Sequence, residues 1–217
     1  MGFFSSLSNL FGMGKKDVNI VVVGLDNSGK TTILNQLKTP ETRSQQIVPT
    51  VGHVVTNFST QNLSFHAFDM AGQSEYITSY LPKGLRLILN GKISNVFNFS
   101  VKYRSTWESY FHSSQGVIFV LDSSDRLRIE LLKDELWMVL DHKDVASRGI
   151  PVVILANKMD IPGAMTAEDI TQALGLNLHR AGTWSIHSTC ALTGDGLDVA
   201  MQQLSTDITK YMESRKN

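Results

Sequence analysis

Cysteine is nearly absent from this sequence. The 217 residues include one, Cys190, so no internal disulfide can form, and a reducing, cytoplasmic setting is expected. Net charge is absent too: 20 Lys+Arg balance 20 Asp+Glu, which argues against nucleic acid as a partner. No apolar run approaches the roughly 20 residues that span a bilayer. A cleavable leader is not expected, because the start is short and has no charged leader region. The six histidines (His53, His66, His112, His142, His179 and His187) lack metal-binding spacing. Trp107, Trp137 and Trp184 are expected in or near the core. Charged residues are 18% of the chain, low for disorder, and 42% hydrophobic content is enough to build one packed domain.

Against these absences stands the run Gly24-Leu25-Asp26-Asn27-Ser28-Gly29-Lys30-Thr31, which reads G-x-x-x-x-G-K-T. It follows the apolar stretch 18–23, and Thr32-Ile33-Leu34-Asn35-Gln36-Leu37 continues it as a helix. A buried strand feeding a glycine-rich turn and then a helix is the setting of a phosphate-binding loop. The glycines let backbone N–H groups point inward at phosphate oxygens, and the helix adds its positive dipole end. Lys30 is placed to reach the β and γ phosphates, and Thr31 to offer its hydroxyl to Mg2+.

Strand-like segments recur at 18–23, 51–59, 63–68, 116–121, 152–156 and 183–187. Helical periodicity marks 129–140 and 197–211, while the polar stretch 40–46 reads as a loop. Thr60-Gln61-Asn62 between two strands suggests an antiparallel hairpin. The expected fold is α/β: a mostly parallel six-stranded sheet with one antiparallel edge strand and helices on both faces. Ligands in such sheets sit beyond the carboxyl ends of the strands, and every motif here follows a strand.

Asn157-Lys158-Met159-Asp160 specifies the base. A carboxylate such as Asp160 can accept hydrogen bonds from the ring N–H and exocyclic amine of guanine, whereas adenine presents the wrong pattern. Asn157 can contact the base edge and brace the loop, and the stem of Lys158 can cover the ring face. Asp69-Met70-Ala71-Gly72-Gln73 closes another strand. Asp69 is placed to hold Mg2+ through water, and the Gly72 N–H to approach the γ-phosphate. Gln73 is the candidate to orient an attacking water. Thr50 could complete the Mg2+ shell when the γ-phosphate is present.

Together these residues resemble the small GTPases of the Arf and Arf-like group. The resemblance is carried by G-L-D-N-S-G-K-T-T (24–32), P-T-V-G (49–52), D-M-A-G-Q (69–73), N-K-M-D (157–160) and T-C-A (189–191). It implies a P-loop NTPase fold and a GTP/GDP switch with an exchange factor and a GTPase-activating protein as partners. It also implies that Cys190 and Ala191 form the last guanine-contact loop, with the Ala191 N–H facing the base oxygen. Segments 44–52 and 122–128 resemble the ciliary branch of the group, which recruits the Bardet–Biedl coat complex to membranes. By the same resemblance the hairpin of 51–59 and 63–68 slides on activation and displaces the N-terminal helix toward the membrane. No arginine is evident in cis, so slow unaided hydrolysis is expected; a partner's arginine can add about 10³–10⁵-fold.

Met1-Gly2-Phe3-Phe4-Ser5-Ser6 fits the N-myristoylation pattern on Gly2. Phe3, Phe4, Leu7, Leu10 and Phe11 share one helical face, so residues 1–16 read as an amphipathic membrane helix ahead of a GTPase domain at 17–214. Residues 77–103 have no place in the family pattern. Joining Tyr76 to Arg104 restores an ordinary Arf-type sequence, which favours an alternative or mistaken exon over a looped-out insertion. The segment carries Lys83, Arg86, Lys92 and Lys102 and no acid. Because it begins four residues after Gln73, nucleotide binding is expected to survive it, while water positioning and partner reading are in doubt. A nucleotide-binding scaffold unable to cycle is therefore one alternative, and another P-loop enzyme such as a nucleotide kinase a second.

Overall fold

The computed structural model describes residues 15–71, 107–179 and 183–216. Gly2, the N-terminal amphipathic segment, Gly72, Gln73 and the segment 77–103 lie outside the described residues.

Runs of Val, Ile, Leu and Phe buried on both faces make the central strands β1 (Lys16–Val23), β4 (Gly116–Asp122) and β5 (Val152–Asn157). The expected boundary at 16/17 falls just inside β1, which starts at Lys16. Strands β2 (His53–Ser59) and β3 (Leu63–Met70) form the antiparallel hairpin, and β6 (Trp184–Ser188) the far edge. Strand β2 starts two residues later than expected because Gly52 turns the chain with φ 73°. The sheet order is β2-β3-β1-β4-β5-β6, with every pairing parallel except β2 with β3.

Alternation along the strands builds two cores. Ile20, Val22, Ile118, Val120, Val153 and Leu155 pack on one face beneath α1 (Lys30–Leu37) and α5 (Leu197–Ser214). Val21, Val23, Phe119, Leu121 and Ile154 face the other way, beneath α2 (Ile129–Asp141), the single turn α3 (Lys143–Ala146) and α4 (Ala167–Ala173). Trp107 is fully buried, and Trp184 packs against the same core; Trp137 donates its Nε1–H to the Leu174 carbonyl at 2.9 Å. No helix among the described residues is long and apolar enough to cross a membrane.

Strand β1 lies between β3 and β4, so the chain order reverses there. A crevice opens beyond the carboxyl ends of strands at such a point. The glycine-rich loop leaves β1 there, β3 ends at the same edge, and β4, β5 and β6 deliver their following loops to it.

Candidate functional site

The glycine-rich loop wraps over the end of β1 with almost no spare space. Gly24 has φ 140°, and a Cβ there would sit 2.1 Å from the Val120 carbonyl oxygen. Gly29 has φ 95° and would place a Cβ 2.4 Å from Asn157 Nδ2. Only glycine fits either position. Lys30 begins α1, is 6% exposed, and donates to the carbonyls of Gly24 at 3.1 Å and Leu25 at 2.8 Å. Burial pulls its amine down to about 8, although the carboxylates of Asp69 and Asp26 pull the other way. A buried lysine wrapped inside its own loop is a cation kept for an anionic ligand. Asp26, Asn27, Gly29, Lys30, Thr31 and Thr32 line a cleft of about 330 Å³ whose lining residues 47–50 complete.

Three elements converge behind this cleft. Thr31 Oγ1 donates to Asp69 Oδ2 at 2.7 Å and lies 2.8 Å from Thr50 Oγ1. Thr50 Oγ1 also donates to Asp69 Oδ2, at 3.0 Å. The other carboxylate oxygen, Asp69 Oδ1, is buried with no hydrogen-bond partner. Burial raises the pKa of Asp69, outweighing the two hydroxyl bonds and Lys30. Two hydroxyls and a half-satisfied carboxylate form a hard-oxygen donor set of the kind that suits Mg2+. No cluster of three His, Cys, Asp or Glu that could hold a metal occurs among the described residues.

The base-reading loops meet at Asn157. Its Nδ2 donates to the Ser28 carbonyl at 2.8 Å, and its Oδ1 accepts the Ala191 N–H at 2.9 Å. One buried amide thus ties the phosphate loop, the end of β5 and the loop after β6 together. The brace takes up the Ala191 N–H that was expected to face the base oxygen. Lys158, at φ 65°, pairs through Nζ with Asp122 Oδ2 at 2.8 Å. Burial pushes the Asp122 carboxyl up, but the bonds from Lys158 and Ser124 hold it below the usual range. Asp160 is exposed and accepts the Cys190 S–H at 3.2 Å. Cys190 therefore orients the carboxylate expected to read guanine. Ser28, Asp69, Ser123 and Thr189 each keep a buried oxygen without a partner; Asp69 stands near the end of β3 and the other three in loops of the same edge.

The structure adds a residue that sequence reasoning missed. Arg128 follows β4 and donates from Nη1 to Asp26 Oδ1 at 2.6 Å and from Nη2 to the Asp26 carbonyl at 3.3 Å. Its Nε pairs with Asp125. An arginine is thus present in cis, though fully engaged. The signal was the run D-S-S-D-R-L-R directly after β4, the strand beside β1. A roomier cavity of about 910 Å³ lies elsewhere, between α1, the β2–β3 turn and α5. Its lining holds none of the phosphate-loop residues, so chemistry rather than volume locates the site.

Comparison with known proteins agrees with this geometry. The profile of the ADP-ribosylation factor family matches residues 3–82 and 100–208. ADP-ribosylation factor-like protein 6 of Caenorhabditis briggsae is 80% identical over 217 residues, all of both chains. Its Caenorhabditis elegans counterpart is 80% identical over 216 residues, and that of Danio rerio 40% identical over 197 residues, 91% of each chain. Among solved structures, the Arl6 BBS3 small GTPase from Trypanosoma brucei with bound nucleotide analogue GppNp aligns with a TM-score of 0.70 and 32% identity, over 90% of this chain and 99% of that one. The chain belongs to the ADP-ribosylation factor family and is a small GTPase of the Arf-like kind.

Proposed function

We propose that this GTPase is a Mg2+-dependent switch that recruits effectors to membranes when GTP is bound, with ciliary membrane-protein trafficking as its setting. The observation that carries the reading is the meeting of Thr50 with Thr31 and Asp69. Thr50 arrives on a loop of its own between α1 and β2, so the order of that loop is linked to what the phosphate loop holds. Thr31 and Thr50 would hold Mg2+ directly and Asp69 through water; bound there, the ion neutralises charge on the β and γ phosphates. Lys30 supplies the adjacent cation, Asp160 reads the base, and Asn157 locks the two halves of the site together. Gly72 and Gln73 continue the chain from Ala71, whose N–H is tied to the Gly52 carbonyl at 3.0 Å beside Thr50. That link supports their roles toward the γ-phosphate and the attacking water.

The membrane part rests on residues 1–16 and on acylation of Gly2. One acyl chain gives marginal binding, and the amphipathic helix is the second signal that makes it useful and reversible. The similarity to ADP-ribosylation factor-like protein 6 supports a cytoplasmic protein that visits the ciliary base and engages the Bardet–Biedl coat complex. We also infer that 77–103 is a genuine insertion. The family profile skips 83–99, but two nematode relatives match along the whole of both chains, which weighs against an exon error in this chain alone.

Liposome flotation of the acylated full chain tests the switch. GTP-analogue-loaded protein should float and GDP-loaded protein stay below, while Thr50→Ala should erase the difference. Equal flotation with both nucleotides, or a Thr50→Ala variant that still discriminates, refutes it.

A further inference from the structure

We propose that Arg128 is a positioning residue that holds the Asp26 carboxylate back from the phosphate site and so sets the preference for GTP over GDP. The inference rests on the nucleotide reading of the phosphate loop and adds a determinant of which nucleotide it favours.

An acid at Asp26 is electrostatically awkward. It lines the same cleft as Lys30, Thr31 and Thr50, where the ligand is a polyanion. A free carboxylate there repels phosphate and competes for the lysine. Arg128 removes both problems with a two-pronged grip, one nitrogen on the carboxylate and one on the carbonyl of the same residue. Asp125 fixes the other side of the guanidinium and accepts the Arg128 backbone N–H at 3.2 Å, so the fork cannot swing away. Lysine could not replace this planar three-point arrangement. The paired side chains are 30% and 23% exposed, so solvent screens them only in part. Burial works against the guanidinium charge, yet bonding to Asp125 and the charge of Asp26 keep its pKa raised. Lys30 senses both members of the pair, Asp26 favouring its charged form and Arg128 opposing it. Asp26 shares its cleft with Thr50, the residue whose loop is read above as ordering with the terminal phosphate, so an unmasked charge there would weigh more on GTP than on GDP.

The test measures equilibrium affinities of the full chain for GTP and GDP with Mg2+ in wild type, Arg128→Gln, Asp26→Asn and the double variant. Arg128→Gln should shift the GTP:GDP affinity ratio toward GDP by about tenfold, more at low salt, and Asp26→Asn in the same chain should bring it back to within about twofold. Asp26→Asn alone, which keeps the arginine, should shift the ratio toward GTP. Equal loss of both nucleotides without rescue would mark Arg128 as a merely structural clamp and overturn the inference. An unchanged ratio in Asp26→Asn overturns it even if Arg128→Gln does not fold. A wild type that binds neither nucleotide overturns the nucleotide reading, and this inference with it.

Discussion

Replacing Asn157 by alanine should cost this protein stability before any nucleotide is considered. The side chain is 1% exposed and makes two hydrogen bonds to backbone groups of distant loops. Alanine can make neither. It would leave the Ser28 carbonyl and the Ala191 N–H unpaired in a buried site, each costing about 1–3 kcal/mol. A total near 3 kcal/mol is a large part of the roughly 5–15 kcal/mol that holds a domain together. For a chain of this length it lowers Tm by about 6–12 °C. Asn157→Asp is the informative partner variant. A carboxylate still accepts from Ala191 but has no donor for Ser28, so it should recover at most half of the loss, and less because it adds a buried charge. Urea denaturation of the nucleotide-free protein, with Tm by scanning calorimetry, reads both variants. If Asn157→Ala weakens nucleotide binding but leaves nucleotide-free stability within about 0.5 kcal/mol of wild type, the brace is not structural and the reasoning fails.

Two further perturbations follow from the phosphate loop. Burial holds Lys30 at about 8, so below that pH its amine is already charged and GTP binding takes up no proton there. Above it, the phosphates must bring the proton back, so affinity should fall by up to about tenfold per pH unit. Titration calorimetry in buffers of different ionisation enthalpy should show proton uptake near pH 9 and none near pH 6.5, and no uptake at either pH refutes the assignment. Gly24→Ala would drive a methyl group to 2.1 Å from the backbone of β4 at a φ of 140°. The expected cost exceeds about 4 kcal/mol, and a folded variant with near-wild-type urea stability would contradict the close approach.

Much of this architecture is legible in the sequence because the central strands β4 and β5 are buried on both faces. The residues of β1, β4 and β5 can be read from their apolar runs, and the loops that follow β1 and β5 carry the phosphate and base motifs. Helix α4 escapes periodicity because it has seven residues, although the capping box of Thr166 with Asp169 was a visible start signal. Contacts between loops are harder to read. Nothing local to Asn157 says that its amide spans from Ser28 to Ala191, and nothing local to Arg128 says that its fork closes on Asp26, which lies 102 positions away. Such pairs exist because parallel strands bring their carboxyl-end loops together, so they become visible only once strand order is known.

Thr50 stands before β2 and Asp69 stands near the end of β3, so one hairpin carries both groups that close on Thr31. On β3, Leu63, Phe65 and Ala67 are buried while Ser64, His66 and Phe68 are half-buried, a strict two-residue alternation. If the hairpin slides along β1, a one-residue step would turn Ser64 and His66 into the core, whereas a two-residue step restores the buried row. The smallest permitted displacement is then about 6.6 Å, far more than a hydrogen bond can stretch. Such a hairpin would have no half-way setting: it would work as a ratchet with discrete teeth, cut by the spacing of apolar residues along β3.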